Sequence, residues 1–248
     1  MTLVIENLEK SYNGRLIVEG LNFHIAKGEL VGLVGPNGAG KSTTLGMICG
    51  LIKPDSGHVF LNGLDPLKQP QAYKKGIAFV PERPGLYSDI TALDFLSFAA
   101  STHKKSEAFA VDMAEKVGCA HVLEQKMALL SRGQRQALYL AAAFVAEPDV
   151  LILDEPTVGL DPMQQKRVND AMKDFCKQGG AILLSTHALY EAEHLCDRIL
   201  VLMNHHIIAE GKASELMKDH SSLYDFLHDQ HNTKHLQQPA TTQPAETA

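Results

Sequence analysis

Apolar residues fall in short runs separated by longer stretches where they recur every three or four positions. The runs Leu30–Val34, Ile77–Val80, Val150–Leu153, Ala181–Ser185 and Ile199–Met203 read as strands. Their alternation with helical patterns predicts an α/β fold, a mostly parallel sheet covered by helices. Val150-Leu151-Ile152-Leu153 is apolar throughout, as expected of a central strand buried on both faces. The first stretch differs. Thr2–Leu8, Leu21–Ile25 and His58–Leu61 are strand-like, with turn residues Asn13-Gly14, Lys27-Gly28 and Asn62-Gly63 between them. They predict a small antiparallel layer beside the main sheet.

From Thr91 to Ala146 the periodicity becomes helical. Thr91 can cap a helix running through Ser101, and Ser106 can cap another that stops at Gly118. A third helix spans about Gly133 to Ala146 and ends before Pro148. This block has few strand signals, so residues of about 86–149 read as a helical subdomain inserted in the α/β core. Asp161-Pro162 opens a later helix with proline at its first position. Val168, Ala171, Met172, Phe175 and Cys176 form its packing stripe. Residues 1–228 thus make one cassette, and 229–248, rich in Gln, Thr, Pro and His, read as a flexible tail. His231 and His235 in it are read as solvated rather than metal-binding.

A hydrophobic share of 45% suits a globular chain with a real core, and the net charge of −6 disfavours a nucleic-acid stripe or broad attraction to anionic lipid. No apolar run approaches the ~18 residues of a membrane helix; the longest candidate, Leu138–Ala146, stops at Glu147-Pro148. The N-terminus carries no basic segment before an apolar one, so no signal peptide is expected. Cys49, Cys119, Cys176 and Cys196 form no C-x-x-C pair, which points to reduced thiols in a cytoplasmic protein.

Gly35-Pro36-Asn37-Gly38-Ala39-Gly40-Lys41-Ser42 matches G-x-x-x-x-G-K-[ST] in full, between the strand Leu30–Val34 and a helical segment Ser42–Cys49. Glycines let the backbone wrap phosphates with its N–H groups inward, and the helix start adds its positive dipole end. Lys41 is expected at the β- and γ-phosphates and the Ser42 hydroxyl on Mg²⁺, with Thr43 completing the nucleotide-binding set. The motif alone establishes nucleotide binding and leaves the kind of P-loop protein open.

The strand Val150–Leu153 runs into Asp154-Glu155-Pro156. Two acids at the carboxyl end of a parallel strand sit where ligands bind such sheets. Asp154 is placed to hold Mg²⁺, directly or through water, and Glu155 to polarise the attacking water.

Leu130-Ser131-Arg132-Gly133-Gln134 stands about ninety residues after the phosphate loop, just before a predicted helix. By itself it is only a helix cap. With the other motifs, the chain resembles the ABC ATPase family over roughly residues 2–220. The family's LSGGQ motif is matched except for Arg132 in place of the first glycine. Its D-loop is matched by Gly159-Leu160-Asp161, its switch histidine by His187, and its adenine-stacking aromatic by Tyr12. The resemblance implies a P-loop NTPase (RecA-like) core with the antiparallel layer and the inserted helical subdomain. It also implies ATP and Mg²⁺ as ligands and two cassettes facing head to tail, with a homodimer as the expected pairing. Ser131, Gly133, Gln134 and Asp161 would then meet the nucleotide bound by the partner, and a separate transmembrane permease would dock the pair at the inner face of the cell membrane.

Two further features depart from the family. Val80-Pro81-Glu82 carries Glu82 where most members have glutamine; Glu82 can still reach Mg²⁺ or the water. A branch of bacterial ABC-2-type exporter subunits is similar here and in Pro84–Tyr87. Ala137 and Ala142 replace arginines common in importers. Leu86, Tyr87, Ile90 and Phe95 are candidates for a docking patch or for core packing. A soluble family member acting on ribosomes or nucleic acid is the alternative. The single phosphate loop, the absence of room for a coiled coil and the net charge disfavour it.

Overall fold

The computed structural model describes residues 2–85 and 87–235. β1 (Leu3–Tyr12) and β2 (Arg15–Ile25) form one long antiparallel hairpin. Asn13 and Gly14 join them with φ of 52° and 77°, the two positive dihedrals that match a right-twisted hairpin. The strands therefore run to the turn itself, beyond the bounds at Leu8 and Leu21 that apolar content suggests.

β3 (Leu30–Val34) is wholly buried and leads through the phosphate loop into α1 (Lys41–Ile48). β4 (Ser56–Leu61) returns to pair with β1, giving a three-stranded antiparallel sheet in the order β2-β1-β4. A short α2 (Pro70–Lys75) precedes β5 (Ile77–Val80).

The helical block follows. α3 (Ala92–Thr102) is capped by Thr91, whose hydroxyl accepts from the Asp94 amide while Asp94 accepts from the Thr91 amide. α4 (Glu107–Lys116) is capped by Ser106, and α5 (Arg132–Val145) by Ser131. β6 (Val150–Asp154), α6 (Pro162–Lys177), β7 (Ala181–Thr186), α7 (Leu189–Leu195) and β8 (Arg198–Met203) restore the α/β alternation. β9 (His206–Gly211) then folds back on β8 across Asn204 and His205, both at positive φ. The turn lacks glycine, so the sequence gives little sign of it. α8 (Ala213–Leu216) and α9 (Leu223–His235) end the described chain. α9 continues past Asp229 into the stretch read as a tail; residues 236–248 lie outside the described residues.

The main sheet has the order β5-β6-β7-β3-β8-β9, parallel except for β9. β7 separates β3 from β6, and registers pair Val34 with Thr186 and Asp154 with Ser185. The carboxyl ends of β3, β6 and β7 are therefore level, and the segments leaving them share one edge. One core lies between the small sheet and the main sheet, around Leu3, Ile5, Leu33, Ile48 and Ile152. A second lies under the helical block, built on α5 residues Ala137, Leu138, Leu140 and Ala141 against Leu151 and Leu153. Among the described residues, no helix is long and apolar enough to cross a membrane.

Candidate active site

The phosphate loop leaves β3 at Gly35 and closes into α1 at Gly40, whose φ of 105° is open to glycine far more readily than to other residues. The Lys41 side chain folds back beneath the loop. Its Nζ donates to the Gly35 carbonyl at 2.7 Å and the Pro36 carbonyl at 3.3 Å. Burial pushes the Lys41 ammonium below its ordinary pKa, while Glu155 and Asp154 oppose that shift. Ala39 is buried, its amide donating to Pro36. Asn37, Gly38, Gly40, Lys41, Ser42 and Thr43 line an open cleft of about 350 Å³, and Glu82, Asp154 and Glu155 form its acidic wall.

Asp154 ends β6 and is buried. Ser185 of β7 donates a hydrogen bond to its Oδ1, a partner that only the β6–β7 register reveals. Glu155 is also buried and adopts a positive φ of 51°. Its amide is held by the Ser185 carbonyl at 3.1 Å. Its Oε1 lies 2.8 Å from Nδ1 of His187, while Oε2 is buried without a hydrogen-bond partner. An unpaired buried carboxylate oxygen is costly in a folded chain, and a strained backbone that presents it is a mark of a working site. His187 is well exposed beyond it.

These observations test the groups that the motifs imply. The loop is an amide-lined cradle, and Ser42, Glu82 and Asp154 offer hard oxygen donors within one cleft, the donor type that Mg²⁺ takes together with phosphate oxygens. The residues fit a magnesium nucleotide.

The second group of motif residues lies elsewhere. Ser131, Gly133, Gln134, Gly159 and Asp161 line a separate cavity of about 630 Å³ on the α5 side. Within the chain, Gln134 completes a capping box: its Oε1 accepts from the Ser131 amide at 2.8 Å, and its own amide donates to Ser131 Oγ at 3.2 Å. Asp161 caps α6, accepting from Met163 and Gln164 at 2.9 Å each. Both side chains are thus committed to helix starts here.

Tyr12 sits at the tip of the β1–β2 hairpin, exposed, with Lys10 Nζ 5.2 Å from its ring centroid. The cleft wall nearest the hairpin is made by Arg15 and Ile17. The sequence reading overlooked both, since a strand pattern gives no sign of which residues overhang a loop distant in sequence. Of the proposed patch, Ile90 and Phe95 pack against the helical core. Tyr87 is exposed, its ring 5.9 Å from that of Phe95. Leu86 lies outside the described residues.

A strand, a glycine loop opening into a helix, and two acids at the end of the strand one removed in the same sheet, lining the same cleft, define a P-loop nucleotide hydrolase. The separate cap-lined cavity at α5 distinguishes this chain within that class. It belongs to the ABC transporter family, whose pattern matches residues 18–158. It is similar to the linearmycin resistance ATP-binding protein LnrL of Bacillus subtilis, 36% identical over 218 residues, 86% of this chain and 70% of that protein. It is 37% identical over 216 residues to the Nod factor export ATP-binding protein I of Burkholderia orbicola, again 86% of this chain and 71% of that one. A solved ATP-binding subunit of an ABC transporter superimposes with a TM-score of 0.85 at 32% identity, covering 92% of this chain and 99% of that chain. A bacterial Atm1-family exporter with ATP bound, 23% identical with a TM-score of 0.82, shares the fold. The chain is an ATP-binding subunit of an ABC transporter and an ATPase.

Proposed function

We propose that the chain powers export through a separate membrane permease, by clamping ATP between two copies and hydrolysing it. The observation that carries this reading is the split site. The cleft at the phosphate loop holds the hydrolytic acids, and the cap-lined cavity at α5 holds further phosphate-type donors on a different face. A head-to-tail pair completes each cleft with the other chain's α5 start.

In that arrangement the amides of Asn37, Gly38, Gly40, Lys41, Ser42 and Thr43 and the Lys41 ammonium bind the β- and γ-phosphates. Ser42, Asp154 and Glu82 would hold Mg²⁺, which would supply positive charge against the phosphates. Glu155 Oε2 is the atom left to accept the attacking water's proton, because His187 occupies Oε1. His187 orients that carboxylate. Tyr12 stacks on the adenine. Ser131, Gly133, Gln134 and Asp161 of the partner copy close the site at the γ-phosphate, where a helix start suits negative charge. Hydrolysis and phosphate release then remove the contact that favours the closed pair.

The two curated relatives are named for resistance and for export, and this supports an outward direction. The cassette of residues 1–228, with its inserted block 86–149, would sit at the inner face of the membrane, with Tyr87 at the permease contact. Copurification from detergent-solubilised membranes tests the assignment: a multi-spanning protein should accompany the chain and raise its ATP turnover. A chain recovered alone, with turnover indifferent to membranes, contradicts it.

A further inference from the structure

Two of the departures from the family pattern meet in space. Arg132 replaces a glycine of the LSGGQ motif and Glu82 replaces a glutamine, and an Arg132 Nη2 donates to Glu82 Oε1 at 3.1 Å. Arg83 Nε lies farther from the same oxygen, at 3.8 Å. The Arg132 stem lies against the D-loop backbone: a methyl group placed on Gly159 would stand 3.6 Å from Cδ and 3.7 Å from Cγ. The residue thus starts α5, rests on the loop after β6, and reaches the rim of its own chain's phosphate cleft.

The position of Glu82 gives this contact a purpose. It is the third carboxylate on the cleft wall, beside Asp154 and Glu155. A further negative charge there attracts a divalent cation and repels the phosphates of a nucleotide. We propose that Arg132 is a positioning residue that balances Glu82, setting how the cleft divides its affinity between Mg²⁺ and the bare nucleotide. Within the LSGGQ-like loop it is the side chain that acts on its own chain's cleft, whereas Ser131 and Gly133 face the separate cavity. The proposal rests on the assignment of the cleft to a magnesium nucleotide.

Neutralising Arg132 makes the cleft one charge more negative. Mg²⁺ should then bind more tightly and metal-free nucleotide more weakly. Both partners are exposed, so each change is expected to be about two- to fivefold, the range of an exposed ion pair. The test is fluorescence titration with the labelled analogue MANT-ATP, first in EDTA and then at fixed nucleotide with rising Mg²⁺. Arg132→Gln should weaken metal-free binding and lower the half-saturating Mg²⁺. Arg132→Lys should keep wild-type values for both. In a Glu82→Gln background, which lacks the ion pair that holds Arg132 at the cleft rim, Arg132→Gln should move both much less.

A shift of both quantities in one direction would mean that Arg132 acts through packing, and equal shifts with and without Glu82 that it does not act by balancing that carboxylate; either would overturn the proposal. Unchanged titrations in Arg132→Gln, with wild-type protein binding MANT-ATP normally, would overturn it while sparing the cleft assignment. Wild-type protein that binds no MANT-ATP would overturn both.

Discussion

Gly133→Ala sets two structural effects against each other. Gly133 is the second residue of α5, where alanine gains up to about 1 kcal/mol of helix propensity over glycine. Against that, an added methyl carbon would stand 2.3 Å from the Gly159 carbonyl oxygen and 3.2 Å from its carbonyl carbon. The obstacle is backbone, so no rotamer change can relieve the overlap. Either α5 or the D-loop must move, at a typical overpacking cost of ~1–3 kcal/mol. The clash should win by about 1–2 kcal/mol, lowering the melting temperature by roughly 2–8 °C for a chain of this size. Binding at the chain's own phosphate cleft, lined by other residues, should be unchanged. Differential scanning fluorimetry and MANT-ATP titration of the same sample measure the two. A variant that melts at or above wild type would show the α5–D-loop contact to be slack. One that loses its own nucleotide binding would show that the two cavities are not independent.

Other substitutions separate the remaining roles. Lys41→Ala should reduce ATP affinity at least tenfold, read by the same titration, because no other cation is buried beneath the phosphate loop among the described residues; unchanged affinity would dismiss the loop assignment. Glu155→Gln should retain ATP binding and slow steady-state phosphate release by the ~10²-fold or more typical of a lost general base; near-normal turnover would give Glu155 another task. Glu29 provides a pH signature. Burial alone would raise its pKa, but hydrogen bonds from Arg198 at 2.7 and 2.9 Å and from the Ala26 amide outweigh it and hold the carboxyl below its ordinary value. A depressed folded-state pKa gives stability that is complete above the unfolded value of 4.5 and lost as pH falls through the folded value. Urea midpoints of wild type and Glu29→Gln should therefore converge below about pH 4.5; a constant gap would assign the effect to packing.

Much of the site is legible because its parts are local. The phosphate loop carries its chemistry in consecutive residues, and Asp154-Glu155 directly follow an apolar strand. Strand and helix periods locate β3, β6 and α5 for the same reason. The missing pieces depend on register or on distant neighbours. Ser185 reaches Asp154 because β6 and β7 pair in one particular alignment. Arg15 and Ile17 reach the cleft because the hairpin folds over the loop. Arg132 and Glu82 each stand out as departures, but fifty positions apart they show no sign of being partners. The β8–β9 turn uses Asn204 and His205 at positive φ, where glycine would have announced it.

The central claim is that one ATP joins two chains across the cleft and the cap-lined cavity. Size-exclusion chromatography of Glu155→Gln tests it most directly, with and without magnesium and ATP. The 27.1 kDa chain should run as a monomer without nucleotide and at double that mass with it, and Ser131→Arg in the same background should abolish the shift. A Glu155→Gln chain that binds ATP yet stays monomeric, or one that pairs just as well with Ser131→Arg, would contradict a nucleotide shared between copies.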